Sequence, residues 1–213
     1  GKTVMPPILR LDIEKYHGES DVKAAYIEGL DSFAVKVASG FFNNPKLGLP
    51  SSNGLMILLD SQTGVIKSVL LDKGYLTDVR TAIAGAIAAK YLSNPESSTV
   101  AIIGAGIQAR MQLEALTLVR DIKKINVWSR DINKTHAYIE KVSKNINLNF
   151  TAFDNTNDVV KNADILITTT PSKKPLIDYS SLSKGVHITA MGSDAEEKNE
   201  FCLLYTSPSP RDH

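Results

Sequence analysis

The first ninety residues show the alternation and turn signals of short strands. Phe33, Val35 and Val37 alternate with small or polar residues, which is the pattern of a half-buried strand. Residues 54–60 and 65–72 predict two further strands, joined at 61–64 in a hairpin. The alanine-rich stretch from Thr77 to Leu92 predicts a helix that ends at Ser93-Asn94-Pro95. This part of the chain therefore predicts a small α+β domain over residues 1–92.

From Thr99 onward, short apolar runs alternate with segments of helical periodicity. The run Thr99 to Ile103 predicts a strand, and Ala109, Leu113 and Leu116 then recur at helical spacing. Further strands are predicted at 125–128, 149–153, 164–168 and 186–190. Strands that alternate with helices form right-handed βαβ units on a parallel sheet. We expect an α/β, doubly wound Rossmann domain over residues 93–201.

Composition and charge exclude several classes of protein. The chain has 213 residues, of which 43% are hydrophobic and 22% charged, as in ordinary soluble globular proteins. A net charge of +1 with interspersed signs gives no footprint for nucleic acid or an anionic membrane. The single cysteine, Cys202, excludes a disulfide framework, and we find neither a spanning stretch nor an export signal. The expected location is cytoplasmic.

The last dozen residues do not continue these patterns. Residues 202–213 have neither helical nor strand periodicity and contain Ser-Pro-Ser-Pro. They resemble the translation of a sequencing adapter, so we interpret them as a non-native tail and leave them out of the fold prediction.

A glycine-rich turn follows the first strand of the α/β domain. It reads Gly104-Ala105-Gly106-Ile107-Gln108-Ala109 and opens the next helix. In a dinucleotide-binding turn, the first glycine allows a tight bend, the second admits the pyrophosphate and the third small residue packs helix on strand. The helix N-terminus then offers N–H groups and positive charge to the phosphates. The alternative is a purely structural turn, but the strand–turn–helix context favours the cofactor.

The end of the second strand of this domain bears on the choice of cofactor. An acidic residue there binds the ribose 2′-hydroxyl of NAD, whereas an arginine accommodates the 2′-phosphate of NADP. Ser129 and Arg130 therefore favour NADP(H) over NAD(H). Asp131 is adjacent, and it is either the acid of an NAD site or the N-cap of the next helix.

Three further residues have both a functional and an ordinary interpretation. If Thr77 is the N-cap, Arg80 lies in the first helical turn, where the helix dipole disfavours a cation unless an anion binds nearby. Lys36 lies mid-strand on the face opposite Val35, as an ordinary solvent-facing lysine also would. Asp194 follows a parallel strand, where doubly wound sheets bind ligands, but with Glu197 it also forms a capping box.

A metal site is not predicted. His17, His136 and His187 have no partners at the spacing of metal ligands, and we interpret them as surface or packing residues.

Taken together and in order, the motifs make this sequence similar to the ornithine cyclodeaminase/mu-crystallin family over nearly all of residues 1–201. The segment Leu76-Thr77-Asp78-Val79-Arg80-Thr81-Ala82 is especially diagnostic. The other segments that carry the resemblance are Val4-Met5-Pro6-Pro7 with Arg10, Phe33-Ala34-Val35-Lys36, Asn44-Pro45, Gly48-Leu49-Pro50, Gly54-Leu55-Met56, Asp60 with Thr63-Gly64, Gly104 to Ala109, Thr170-Pro171-Ser172, and Gly192-Ser193-Asp194 with Lys198 and Glu200.

The resemblance implies a fold and a set of site residues. It implies that the Rossmann domain is inserted in a smaller substrate-binding and dimerisation domain, of which residues 1–92 are a part, and that the chain is truncated at both ends. Arg10, Lys36 and Arg80 match positions that hold a substrate carboxylate, with Lys36 also counted as catalytic. Asp194 matches the catalytic acid/base. Thr170, Pro171 and Ser172 match a segment that lines the nicotinamide.

The resemblance also implies an activity. It implies an NAD(P)-dependent enzyme that acts at the α-carbon of a small amino or imino acid by oxidative deamination with cyclisation, and a homodimer in the full-length protein. Two alternatives stay within the family: an NADPH-dependent reductase of ketimines such as Δ1-pyrroline-2-carboxylate, and an enzyme like alanine dehydrogenase. A third, of another class, is a non-catalytic nucleotide- or ligand-binding protein like mu-crystallin.

Overall fold

The computed structural model describes residues 2–193 and 198–201, which form two compact units. The first unit ends at Val79 and the second begins at Arg80. Sequence patterning instead places the domain boundary after Leu92, at the end of the alanine-rich helix. The difference arises because the buried residues of that helix all follow Val79, and because Arg120 donates hydrogen bonds of 2.9 and 2.8 Å to the carbonyls of Ala89 and Lys90.

The first unit is one antiparallel sheet of six strands. They are β1 (Thr3–Val4), β2 (Leu9–Ile13), β3 (Gly18–Ile27), β4 (Ser32–Phe41), β5 (Ser52–Asp60) and β6 (Ile66–Leu70). The order across the sheet is β1-β3-β4-β5-β6, and β2 also pairs with β3. The predicted strands at 33–37, 54–60 and 65–72 are confirmed, the last in shortened form. The pattern did not reveal β1, β2 or the long β3.

The second unit is a doubly wound parallel sheet, as the α/β prediction requires. Its elements are α1 (Tyr75–Leu92, whose first residues belong to the first unit), β7 (Thr99–Ile103), α2 (Ile107–Thr117), β8 (Lys124–Trp128), α3 (Ile132–Ser143), β9 (Asn149–Phe153), α4 (Thr156–Val159), β10 (Ile165–Thr168) and β11 (His187–Ala190). Every strand pair is parallel, in the order β11-β10-β7-β8-β9.

Apolar side chains of the second unit form one hydrophobic cluster on each face of its sheet. Along β7, Val100 and Ile102 belong to one cluster, while Ala101 and Ile103 belong to the other. This alternation explains why β7 reads as a continuous apolar run, since a parallel strand is covered on both faces. Among the described residues, no helix has both the length and the apolar character to cross a membrane.

Candidate functional site

The turn between β7 and α2 requires glycine at its first position. Gly104 has a φ of 122°, a conformation that side chains disfavour, and a Cβ there would collide with the hydroxyl oxygen of Thr169. Its amide donates a hydrogen bond of 2.8 Å to the carbonyl of Trp128. The turn is thereby held between the ends of β8 and β10.

The second glycine of the turn leaves open space in front of helix α2. Gly106 is the N-cap of α2 and has no side chain to accept hydrogen bonds from the first-turn amides. A Cβ at Gly106 would meet no atom within 4 Å. Ala109, one turn into the helix, is completely buried in the core. The turn therefore combines an accessible helix N-terminus with close helix–strand packing, which is what a pyrophosphate group requires.

The strand order places this turn at the edge where open α/β sheets bind ligands. From β7 the chain proceeds to β8 and β9 on one side, whereas β10 and β11 lie on the other. A crevice forms at such a switch point, outside the carboxyl ends of the strands. Three segments of the second unit follow these ends: the Gly104 turn, the stretch 169–172 after β10, and Gly192-Ser193 after β11.

A buried carboxylate joins the last two segments. Glu200 is 0% exposed and accepts hydrogen bonds from the hydroxyls of Thr168 and Thr170, at 2.6 and 2.7 Å. It also accepts from the amides of Thr170 and Gly192, at 2.7 and 3.1 Å. Sequence reasoning noted Glu200 only as part of a motif, because its partners lie up to 32 residues away and leave no local signal.

The rest of the predicted nicotinamide-lining segment is also fixed by hydrogen bonds. The amide of Ser172 donates to the hydroxyl of Thr170 at 3.3 Å, and the carbonyl of Ser172 accepts from the amide of Asn199 at 2.7 Å. Pro171 lies between them and is exposed. Thr170, Pro171 and Ser172 thus form an ordered rim at the carboxyl end of β10.

The segment after β8 shows which residue caps helix α3. The carboxylate of Asp131 accepts a hydrogen bond of 3.0 Å from the amide of Asn133, so Asp131 is the N-cap. Ser129 donates to the carbonyl of Asp131 at 2.9 Å, and its hydroxyl also contacts that of Thr135 at 2.8 Å. The side chain of Arg130 is exposed beside them.

In the first unit, the sheet register places Arg10 and Lys36 on one face. Arg10 is opposite Asp21 on β3, and Lys36 is opposite Lys23, two residues further along the same strand. Lys36 is only 9% exposed, so the interpretation as a solvent-facing lysine does not hold. A lysine is rarely buried unless it is paired or used, because its charge loses hydration.

Arg10 is held by two carboxylates on this face. Its guanidinium lies 3.0 Å from Asp12 and 2.8 Å from Glu19. The hydrogen bond to Asp12, followed by the charge of Glu19, raises the pKa of Arg10 above its ordinary value. With the Arg10 side chain 41% exposed, such pairs contribute little stability, so an incoming carboxylate can replace them at small cost.

The position of Arg80 differs from the sequence-based expectation. Helix α1 begins at Tyr75, and the carboxylate of Asp72 accepts a hydrogen bond of 2.7 Å from the amide of Leu76. Thr77 is therefore not the N-cap, and that expectation is wrong. Arg80 lies in the second turn with an exposed side chain, so the helix dipole acts on it less than the sequence suggested.

A buried glutamine links the Arg80 region to the cofactor turn within the second unit. Gln112 of α2 is 1% exposed, and its side-chain amide donates a hydrogen bond of 3.0 Å to the carbonyl of Thr81. A Cβ at Gly85 would collide with the amide oxygen of Gln112, so glycine permits this close approach of α1 and α2. The part of α1 that belongs to the second unit is thus tied to the helix that follows the Gly104 turn.

The structure assembles the predicted cofactor-binding residues of the second unit along one sheet edge. Arg10 and Lys36 belong to the first unit and share one face of its sheet. Asp194, the predicted acid/base, and Glu197, its capping alternative, lie outside the described residues.

Comparison with known proteins identifies a family and several relatives that this chain resembles over most of its length. The model of the ornithine cyclodeaminase/mu-crystallin family matches residues 1–204. An uncharacterized cyclodeaminase of Sinorhizobium fredii is 55% identical over 197 residues, which cover 92% of this chain and 60% of that protein. The chain thus spans about 60% of the length of the first curated relatives it matches.

Two solved structures share both units of the fold. An archaeal alanine dehydrogenase dimer with bound NAD matches with a TM-score of 0.86 and 32% identity, covering 95% of this chain and 61% of that one. The Δ1-pyrroline-2-carboxylate reductase of Thermococcus litoralis, in complex with NADH and L-proline, matches with a TM-score of 0.82 and 32% identity. That match covers 88% of this chain and 58% of that one.

Proposed function

Because this chain belongs to the ornithine cyclodeaminase/mu-crystallin family, we propose that it catalyses NAD(P)-dependent hydride transfer at the α-carbon of a small amino or imino acid. The observation that carries the proposal is the Gly104–Ala109 turn at the switch point of the parallel sheet, beside the ordered rim 170–172. A turn that is open at Gly106 and closed at Gly104 fits a pyrophosphate and directs the rest of a dinucleotide along the sheet edge.

The cofactor that we favour is NADP(H). Asp131 caps helix α3, so its carboxylate is engaged by the helix and is poorly placed to bind a ribose hydroxyl. Arg130 is exposed next to it and can pair with a 2′-phosphate. When bound, the nicotinamide supplies the hydride acceptor or donor, and the protein orients it.

The proposed substrate carboxylate is bound by cations. Arg10 and Lys36 lie on one face of the first unit, and Arg80 is exposed on α1. A guanidinium binds a carboxylate through two parallel hydrogen bonds, which fixes the adjacent α-carbon. Lys36 has the strongest structural support, because a lysine that is only 9% exposed is rare, and little solvent would weaken the attraction between its ammonium and a bound carboxylate.

We assign proton transfer to Asp194. In the sequence it directly follows Gly192-Ser193, the described residues that come after β11. A carboxylate there would take a proton from, or return one to, the substrate nitrogen. In the proposed reaction, a terminal amine then closes the ring and ammonia leaves.

Net reduction of a cyclic imine is the second candidate. It is favoured by the relatives named Δ1-pyrroline-2-carboxylate reductase, of which one from Bacillus cereus is 33% identical over 192 residues. Both reactions use the same residues and end in reduction of a cyclic imine. The cyclodeaminase reaction differs because the α-carbon is oxidised first, so it needs a second substrate amine and consumes no net reductant.

Turnover assays separate these candidates. The protein is incubated with ornithine, alanine and Δ1-pyrroline-2-carboxylate while the absorbance of reduced nicotinamide is followed. A cyclodeaminase shows no net change over its cycle while it forms proline, a reductase consumes NADPH, and an alanine dehydrogenase produces reduced cofactor. Asp194→Asn is expected to abolish turnover and to leave cofactor affinity unchanged.

Nucleotide binding provides a test that does not depend on the substrate. Gly106→Ala places a methyl group in the open space before α2, so we expect cofactor affinity to fall at least ~10-fold while stability stays the same. Unchanged affinity would contradict a pyrophosphate in this turn. Binding without turnover across a broad panel would instead indicate a non-catalytic binding protein.

A further inference from the structure

Glu200 has an arrangement that packing alone does not require. It is completely buried, and each carboxylate oxygen accepts two hydrogen bonds. One oxygen accepts from the amide and hydroxyl of Thr170, and the other from the hydroxyl of Thr168 and the amide of Gly192. An ionised carboxylate is an acceptor only, with about four acceptor positions, so four donors match it fully.

These four bonds join two loops that follow neighbouring strands. Thr170 belongs to the rim after β10, and Gly192 precedes Asp194 by two residues after β11. Gly192 has no room for a side chain, since a Cβ would meet the carbonyl of Thr170 and lie 2.6 Å from the carboxyl carbon of Glu200. The loops are therefore in close contact, and the carboxylate adds to the backbone hydrogen bond of 3.2 Å that the amide of Gly192 donates to the carbonyl of Thr168.

The backbone around Glu200 is fixed to the same rim. Its carbonyl accepts a hydrogen bond of 3.0 Å from the amide of Leu176, and the preceding residue, Asn199, donates to Ser172 at 2.7 Å. The amide of Glu200 donates to the hydroxyl of Ser193 at 3.3 Å. Movement of this carboxylate would thus be transmitted to both loops.

We propose that Glu200 is the positioning residue that sets the proposed nicotinamide-lining rim, residues 170–172, against Gly192-Ser193, which directly precede the proposed acid/base in the sequence. This inference rests on the proposed function, because it concerns the same site. Glu200 acts through Thr170 and Gly192 and does not itself contact the reacting atoms. Its loss should impair orientation in the reaction more than binding of the distant pyrophosphate.

The test compares Glu200→Gln with Glu140→Gln, the same substitution at an exposed position of α3. The glutamine amide would direct an NH2 group toward two donors, so two of the four bonds are lost. The amides of Thr170 and Gly192 donate to different oxygens, so we expect hydrogen exchange to accelerate at least ~10-fold at whichever of the two faces the NH2 group, since a hydrogen bond to a charged group contributes at least that factor. The amide of Thr169, which donates to the carbonyl of Ile103, should be unaffected and serves as an internal reference.

The kinetic expectation is a split between kcat and cofactor affinity. In Glu200→Gln, kcat should fall roughly 10- to 100-fold, while the dissociation constant of NADPH changes less than about threefold. Glu140→Gln should match the parent in every measurement. Should Glu200→Gln fail to fold, two variants at Thr170 test the same inference. Thr170→Val, which removes the hydroxyl, should lower kcat and accelerate exchange at Gly192. Thr170→Ser, which keeps the hydroxyl, should have the kcat and the exchange rate of the parent.

The outcomes separate this inference from the proposed function. If the parent turns over no substrate but exchange at Thr170 or Gly192 still accelerates in Glu200→Gln, the proposed function fails and the joining of the two loops stands. If the parent is active and Glu200→Gln changes neither exchange nor kcat, Glu200 is not a positioning residue. A loss of NADPH affinity equal to the loss of kcat would likewise overturn the inference.

Discussion

The two units bury their residues in different ways. Among the described residues of the first unit, only Gly18, Lys36 and Gly74 are buried, and none of its large apolar side chains is. In the second unit, residues such as Val100 and Leu113 are completely inaccessible. One sheet thus has a core of its own, while the other presents half-exposed apolar side chains around a buried lysine.

This difference indicates that the two units have different roles. A parallel sheet is covered by the helices of its own crossovers, so the second unit supplies both its core and a rigid edge for the cofactor. The first unit supplies cations on one face and apolar residues on the other, with Leu9 and Leu11 exposed by 54% and 56%. Exposed apolar surface of this kind is typical of interfaces, and we propose that it contributes to a homodimer.

The largest expected effect tests whether buried side chains of the second unit contribute more to the free energy of unfolding than exposed side chains of the first unit. Leu113→Ala removes a fully buried side chain and should destabilise the protein by about 2–5 kcal/mol. Leu11→Ala, the same change in the first unit, should cost less than about 1 kcal/mol because the side chain is exposed. Denaturant unfolding measures the free energy of unfolding that each variant loses. Equal losses in the two variants would show that the first sheet is covered in solution.

The second prediction tests whether the buried lysine of the first unit is needed for activity. Lys36→Met keeps the length of the side chain but removes its charge, so kcat/KM should fall ~100-fold or more while cofactor affinity is retained. Lys23→Met is the control, because Lys23 lies opposite Lys36 on the same face, its side chain is 36% exposed, and it forms an ion pair with Asp21 at 3.1 Å. Equal effects of the two variants would exclude a specific role for Lys36.

A smaller effect is expected at the cofactor edge of the second unit. Arg130→Ala should weaken NADPH binding ~10-fold and leave NADH binding unchanged, since only NADPH carries the 2′-phosphate. Lys134→Ala, on the exposed side of α3, is the matched loss of charge. An equal loss of affinity for both nucleotides would show that Arg130 does not bind the 2′-phosphate.

The smallest effect concerns the pH dependence of the first unit. The Lys67 ammonium, together with the amides and hydroxyl of residues 62 and 63, holds the pKa of Asp60 well below its usual range. Because the folded pKa is lowered, this stabilisation is present above the unfolded pKa of about 4 and is lost as the pH falls further. Asp60→Asn should therefore flatten the decline of the melting temperature below pH ~4, whereas parallel curves for variant and parent would argue against it.

Local sequence was enough for much of the fold and for part of the site. The strands of the second unit, the helix after Gly104 and the hairpin at Asp60 depend on neighbours within a few residues, so their periodicity and turn chemistry appear in the sequence. The start of α1 was missed because Asp72, three residues before Tyr75, accepts a hydrogen bond from the amide of Leu76, so the helix begins before Thr77.

The sequence by itself therefore determined most strands of the parallel sheet and the glycine turn between β7 and α2. Only the tertiary structure decided that Lys36 is buried, that α1 packs with the second unit, and that Glu200 joins two loops. The physical reason is distance along the chain: a hydrogen bond from Thr168 to Glu200 spans 32 residues, and no local pattern encodes a contact that only the parallel sheet brings together.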